Sequence, residues 1–146
     1  GYFRAKLAQE DLIRASEIPY TFVRATQFFE FVQAIAQTSA VGNAVHIAPV
    51  RFQPIAATDV AATVARFAAG APVNGILNVA GPEDFPFDEV VARSLRANAD
   101  QREVVSDPAA PYFGAVLSER SLVPNGDAIL AETRFADWLQ QSAARQ

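Results

Sequence analysis

Apolar residues between Tyr2 and Ala15 recur at helical spacing: Leu7, Ala8, Leu12, Ile13 and Ala15, with Arg4, Gln9, Glu10, Asp11 and Arg14 between them. Ile18-Pro19 ends that helix, because a residue before proline is pushed out of the α region. Tyr20 to Val23 is aromatic and β-branched, which predicts a short strand. Beyond Arg24 the chain turns through Ala25-Thr26-Gln27 into an aromatic-rich run, predicted helical from Phe28 to Ala40 with Phe28, Phe31, Val32 and Ile35 on one side. Val41-Gly42-Asn43 reads as a turn, Val45 to Pro49 as a short strand, and Arg51 to Ile55 as an extended segment. The next helix is predicted to be capped by Thr58, to carry Asp59 in its first turn and to end at Gly70, with Val60, Ala61, Val64, Ala65 and Ala68 as its apolar stripe.

The second half continues the alternation. Asn74-Gly75 is a turn, Ile76 to Ala80 a mostly apolar strand, and Gly81-Pro82 its end. Phe85 to Glu89 opens a helix running to about Ala99, with Pro86 near its first position. Glu103 to Val105 is a small strand, Ala109 to Asn125 a loop with one helical turn, and the last helix starts at Thr133 and buries Phe135, Trp138 and Leu139. Alternating strands and helices indicate an α/β fold. The strands at 20–24 and 76–80 are apolar on both faces, as buried parallel strands are, and are expected to lie in one parallel sheet. The segments 45–56 and 82–132 are expected to form a smaller lobe.

Composition narrows the chemistry. The chain has 146 residues, 51% of them hydrophobic, enough for one domain over residues 1–146 with a real core. It has no cysteine, which excludes disulfides and thiolate metal sites, and His46 is its only histidine, so no metal centre is expected. His46 itself reads as an exposed strand residue. The net charge of -4 comes without a basic run, which argues against nucleic acid as a partner. Nothing approaches a membrane-spanning apolar stretch. Of the 12 basic residues only Lys6 is a lysine.

That lysine stands four residues after Tyr2, one turn along the same helix face. A tyrosine hydroxyl titrates near pH 10 when unperturbed, and a neighbouring ammonium favours the phenolate. Such a tyrosine can protonate a carbonyl oxygen or act as base in the reverse reaction, while the lysine can donate hydrogen bonds to sugar hydroxyls. Taken alone, this spacing more often marks an exposed helix face than a catalytic pair.

The run YFRAKLAQEDLIRASEIPYTFVRATQF resembles the segment of short-chain dehydrogenases/reductases that leads from the Tyr-x-x-x-Lys helix into the next strand, and is most similar to the atypical, NmrA-like members. PIAATDVAATVARF, ILNVAGPE and the closing RFADWL extend the resemblance over nearly the whole chain. It implies the C-terminal part of a Rossmann-like doubly wound fold with a small substrate-binding lobe. It further implies Tyr2 and Lys6 as catalytic residues, with Lys6 also a cofactor ligand. Ala25, Thr26, Gln27 and Phe28 would lie beside the nicotinamide of NAD or NADP, and Phe28 and Phe29 would border a small-molecule substrate. Asp59 would be structural.

The glycine-rich turn that opens such folds, G-x-G-x-x-G, does not occur in these residues. The expectation is therefore a C-terminal half whose dinucleotide-binding half is missing, which by itself neither binds the cofactor usefully nor turns over substrate, and which self-associates. Two readings of the parent protein stay open: a cytoplasmic reductase acting on a carbonyl, quinone or similar acceptor, or a redox sensor that binds NAD(P) without turnover and regulates a protein partner.

Overall fold

The computed structural model describes residues 1–144, the side chains of Tyr2 and Phe3 excepted. It begins with helix α1 (Tyr2–Ala15), closed by Ser16, whose backbone N–H and hydroxyl both donate to the Ile13 carbonyl. Strand β1 (Thr21–Ala25) follows. A 3₁₀ turn (Phe29–Phe31) leads into α2 (Val32–Thr38), so the helix expected from Phe28 is shorter and starts tighter. β2 (Ala40–Val41) and β3 (Ala44–Ile47) form a hairpin about Gly42, whose φ of 60° places it in the left-handed region. β4 (Arg51–Phe52), α3 (Ala57–Ala68), β5 (Gly75–Ala80), β6 (Phe85–Pro86), α4 (Phe87–Ala97), β7 (Glu103–Ser106), β8 (Ile129–Leu130) and α5 (Phe135–Ala143) complete the chain.

β1 and β5 pair in parallel, from Thr21 opposite Gly75 to Ala25 opposite Val79. β8, a two-residue strand that the sequence pattern missed, adds in parallel to the far side of β5, giving the order β1-β5-β8. A second sheet, β2-β3-β7, combines the hairpin with a parallel β3–β7 pair, and β4 pairs antiparallel with β6.

The main core belongs to this second part. Phe29, Val32 and Ile35 pack with Val45, Ile47, Phe52, Phe87, Val90, Leu95 and Phe135, all buried. Burying each such large side chain stabilises the fold by roughly 1.5–3 kcal/mol. The rings of Phe29 and Phe135 lie 5.1 Å apart and those of Phe52 and Phe87 4.4 Å. The β1-β5-β8 sheet is thinly covered by comparison. Among the described residues neither α1 nor α3 buries one fully, and Leu7 and Leu12, placed on the apolar stripe of α1 by their spacing, are exposed.

Several local expectations are corrected. Thr58 does not cap α3. The cap position is Ala56, and the Glu30 carboxylate accepts the Ala57 N–H instead, at 3.2 Å from each oxygen. Pro86 does take the place expected of it, at the cap of α4 next to the helix's first residue, and it also pairs in β6. Phe31 is 55% exposed whereas Phe29 is buried, the reverse of the apolar side read from the sequence. Asp59 accepts hydrogen bonds from the Thr133 N–H and hydroxyl, at 3.1 and 2.9 Å, and so ties α3 to the approach of α5.

Candidate functional site

Parallel strands present their carboxyl ends together, and in open α/β sheets ligands bind outside those ends. Here the ends of β1 and β5 open on a cavity of about 240 Å³ lined by Arg24, Ala25, Thr26, Gln27, Asn78 and Val79, and on its other side by residues 121–125. The backbone beneath it is pinned. The Thr26 N–H donates to the Val79 carbonyl at 3.0 Å, and the Gln27 carbonyl accepts the Ile55 N–H at 2.9 Å. Phe28 forms a bridge with Ile55 in the same crossing, and Phe29 donates its N–H to the Ile55 carbonyl.

Two polar atoms of this turn have no hydrogen-bond partner although they are buried, Thr26 Oγ1 and Gln27 Oε1. Buried polar groups are nearly always paired, so two adjacent exceptions at a strand exit call for a reason.

A larger groove, about 650 Å³, runs between α1 and β1. It is lined by Lys6, Leu7, Gln9, Glu10, Ile13 and the whole of β1. It shares Arg24 and Ala25 with the strand-exit cavity. Lys6 Nζ donates to Gln9 Oε1 at 3.2 Å within this groove. Opposite, the Glu10 carboxylate receives Arg24 Nη2 at 2.5 Å and Nε at 3.1 Å, and Arg14 at 2.9 Å. The Arg24 hydrogen bond holds the Glu10 carboxyl below its ordinary pKa, against a smaller opposing effect of desolvation, and raises that of Arg24. Helix α1 is thereby locked to β1 by charge at the point where the strand exits.

The structure thus brings Lys6, Ala25, Thr26 and Gln27 into two adjoining hollows. The side chain of Tyr2, the other half of the expected pair, lies outside the described residues. Phe28 does not line the strand-exit cavity; its ring stacks on Phe31 with centroids 5.5 Å apart. Phe29, expected to border a substrate, is instead a core residue, 2% exposed and packed on Phe135 and Trp138. His46, expected to be exposed, is half-buried and its Nδ1 lies 3.2 Å from Asp107 Oδ2. No group of three metal-ligating side chains occurs among the described residues, and among them no helix is long and apolar enough to cross a membrane.

Asn78 and the 121–125 segment were not singled out from the sequence. Asn78 lies in an apolar strand, and only its Nδ2 hydrogen bond to the Asp127 carbonyl, at 3.3 Å, shows that it anchors the turn opposite. Leu122 joins the site by pairing with Phe52 and accepting the Gln53 N–H, contacts between distant segments that no local pattern announces.

No protein-family model matches the chain, and no curated protein matches it. Solved structures do. A nucleoside-diphosphate-sugar epimerase from Staphylococcus aureus superposes on 90% of this chain and 55% of its own, with a TM-score of 0.59 and 15% identity. RMD from Pseudomonas aeruginosa, complexed with NADPH, covers 98% of this chain and 54% of its own, with a TM-score of 0.58 and 15% identity. The fold is Rossmann-like. The chain spans little more than half the length of either neighbour. In a Rossmann-like frame the parallel pair β1–β5 is part of the main sheet, and the hollow at its carboxyl ends is where the fold places ligands.

Proposed function

We propose that this chain is the C-terminal, catalytic-helix and substrate-binding part of a cytoplasmic NAD(P)-dependent oxidoreductase of the short-chain, NmrA-like kind, acting on a carbonyl, quinone or similar small acceptor. The observation that carries this reading is the hollow at the carboxyl ends of parallel β1 and β5, joined through Arg24 and Ala25 to the groove that Lys6 lines. A neighbour of the same fold being complexed with NADPH supports it.

The residues present fit one end of such a cofactor. Thr26 and Gln27 offer buried polar atoms without protein partners at the strand exit, and Lys6 offers an ammonium along the adjoining groove. The glycine-rich phosphate turn is not among these residues, so the dinucleotide's charged centre would be held by other parts of the protein.

When bound, the nicotinamide supplies or accepts the hydride. Tyr2 would hold the proton that the acceptor oxygen takes up. Lys6 would favour the tyrosine's phenolate by its charge and donate to the ribose hydroxyls. The Arg24–Glu10 pair would fix the angle between the helix carrying both residues and the strand exit, which sets the reach of the proton donor.

The test uses the protein that carries this chain. Tyr2→Phe removes only a hydroxyl and is expected to lower turnover by about a hundredfold or more with cofactor binding nearly intact. Lys6→Ala is expected to weaken cofactor binding and raise the pH optimum of the residual activity. Steady-state pH–rate profiles of both variants beside wild type decide the matter, and unchanged turnover in Tyr2→Phe overturns the mechanism.

A further inference from the structure

Away from the strand exit, the helices of the second lobe enclose a cleft of about 160 Å³. The 3₁₀ turn and α2 supply Glu30 and Gln33, the end of α4 supplies Ser94 and Asn98, and α5 supplies Trp138 and Ser142. The cleft shares no residue with the strand-exit cavity or with the α1–β1 groove. Ser94 is the one buried polar residue among the described residues. The rest of the core is apolar, so a hydroxyl in this wall departs from the way the lobe is otherwise built.

The side-chain donors of this wall are largely spent inside the protein. Ser94 Oγ donates to Gln33 Oε1 at 3.3 Å, Asn98 Nδ2 to the Ser94 carbonyl at 2.8 Å, and Ser142 Oγ to the Trp138 carbonyl at 2.5 Å. What these three leave over is acceptor capacity, the Asn98 amide oxygen and the lone pairs of two hydroxyls. Glu30 adds a full negative charge. The Ala57 N–H holds its carboxylate in place, 3.2 Å from each oxygen, but a backbone N–H brings no counter-charge. No lysine, arginine or histidine lines the cleft among the described residues. Trp138 contributes an aromatic surface in a fixed position, its ring parallel to Phe135 at 6.1 Å and tilted against Phe29 at 5.5 Å. Two donors remain, the Trp138 indole and the Gln33 amide; neither is a buried unpaired group, so water serves both.

A carboxylate, spare acceptors and a tryptophan, with no cation opposing them, suit one class of group. An ammonium has three donors and no acceptor, and the face of an indole attracts a cation. Helices α4 and α5 both end at the cleft, and the partial negative charge of two helix C-termini acts in the same direction. We infer that this cleft is a second binding site, for a small organic ammonium ion with a short apolar body. Glu30 and Asn98 take the charged head, and Trp138 and Leu139 the body. The volume of about 160 Å³ admits a ligand of about five heavy atoms, since a cavity of roughly 150 Å³ already holds benzene. With no residue in common with the other hollows, its occupant is neither the dinucleotide nor its acceptor, and the site stands apart from the oxidoreductase reading.

Trp138 is the only tryptophan of the chain, so its fluorescence reads this cleft directly. Butylammonium, butanol and butyrate, alike in size and different in charge, are the probes, titrated at constant ionic strength. Butylammonium is expected to change the Trp138 emission saturably. In a heteronuclear NMR titration it should shift the Trp138 indole N–H and the amides of residues 33, 94–98 and 138–143. Butanol and butyrate should bind at least about tenfold more weakly. Glu30→Gln keeps an oxygen for the Ala57 N–H but loses the charge, and should weaken butylammonium about fivefold or more. Ala143→Lys puts a cation into the wall at an exposed helix C-terminus, where it is tolerated, and should weaken butylammonium about tenfold. No saturable response, equal affinity for butanol, shifts confined to other surfaces, or unaltered butylammonium binding in either variant would each overturn the inference. No cofactor or turnover enters these readouts, so they are decided separately from the Tyr2→Phe experiment.

Discussion

Gly81 follows directly on β5, where the sheet delivers the chain to the second lobe. A Cβ built on it would lie 1.8 Å from the Pro54 carbonyl oxygen and 2.9 Å from the Pro54 carbonyl carbon. Both are backbone atoms and cannot swing aside, and the Gln53 side chain bonds the Gly81 carbonyl at 2.9 Å, clamping the two segments. Gly81→Ala is therefore expected to cost at least about 3 kcal/mol, the upper end of overpacking penalties, measured as a fall in the urea midpoint with little change in slope. The sequence showed Gly81-Pro82 only as the end of a strand; the close approach needs Pro54, which no local pattern supplies. The exchange of Phe29 and Phe31 has a similar cause. Counting at 3.6 residues per turn from Phe28 puts Phe31 on the buried side, but the 3₁₀ turn at Phe29–Phe31 advances faster per residue and rotates Phe29 inward instead. Thr26 and Gln27 were legible as a strand exit, yet their unpaired oxygens depend on what fails to approach them, and a sequence does not carry that.

Between elements, the contact most open to test is the one that joins α1 to β1. Glu10 sits on the helix and Arg24 on the strand, and the hydrogen bond from Arg24 holds the Glu10 pKa below 4.5. In the unfolded chain the carboxyl returns to its ordinary value, so around that pH the unfolded state binds more protons than the folded one. The pair's contribution is thus complete above the unfolded pKa and is lost as the pH falls through the depressed folded one. Glu10→Gln should be less stable than wild type at pH 7, and the gap should close as the pH drops below about 4. Thermal melts of both proteins across that range check the sign, and a gap that widens on acidification would contradict it. α2, α4 and α5 were readable because burial on one side writes a period into the sequence, and α1 and α3 carry such a period although their stripes are not buried in this chain. β8 was too short to show one, and the cap of α3 comes from Glu30 across the fold rather than from Thr58 beside it.

At the scale of the whole molecule, the parallel pairing of β1 with β5 was readable because both strands carry apolar residues on both faces. β1 is the outer strand of its sheet, and the groove between it and α1 exposes Leu7 beside Ile13, Phe22 and Val23. On the other face a second hollow of about 240 Å³ separates β1 from α3, lined by Val64, Phe67 and Pro72 among others. An outer strand with apolar hollows on both faces is a template for further pairing. Charge is the usual defence of such an edge, and Arg24 is the charged residue of this strand. Its guanidinium is already matched by Glu10, so the defence is largely neutralised. We propose that the 146-residue chain, studied alone, pairs through this edge with a second copy of itself. Light scattering should then give about twice the 15.7 kDa of one chain or more, and dilution should dissociate it. Val23→Lys, which places a second and unpaired charge on the same strand, should shift the equilibrium to monomer without unfolding the core, because that core lies in the other lobe. A wild-type chain that stays at 15.7 kDa at high concentration would show that the edge is protected by its own twist and that no partner strand is needed to keep it in solution.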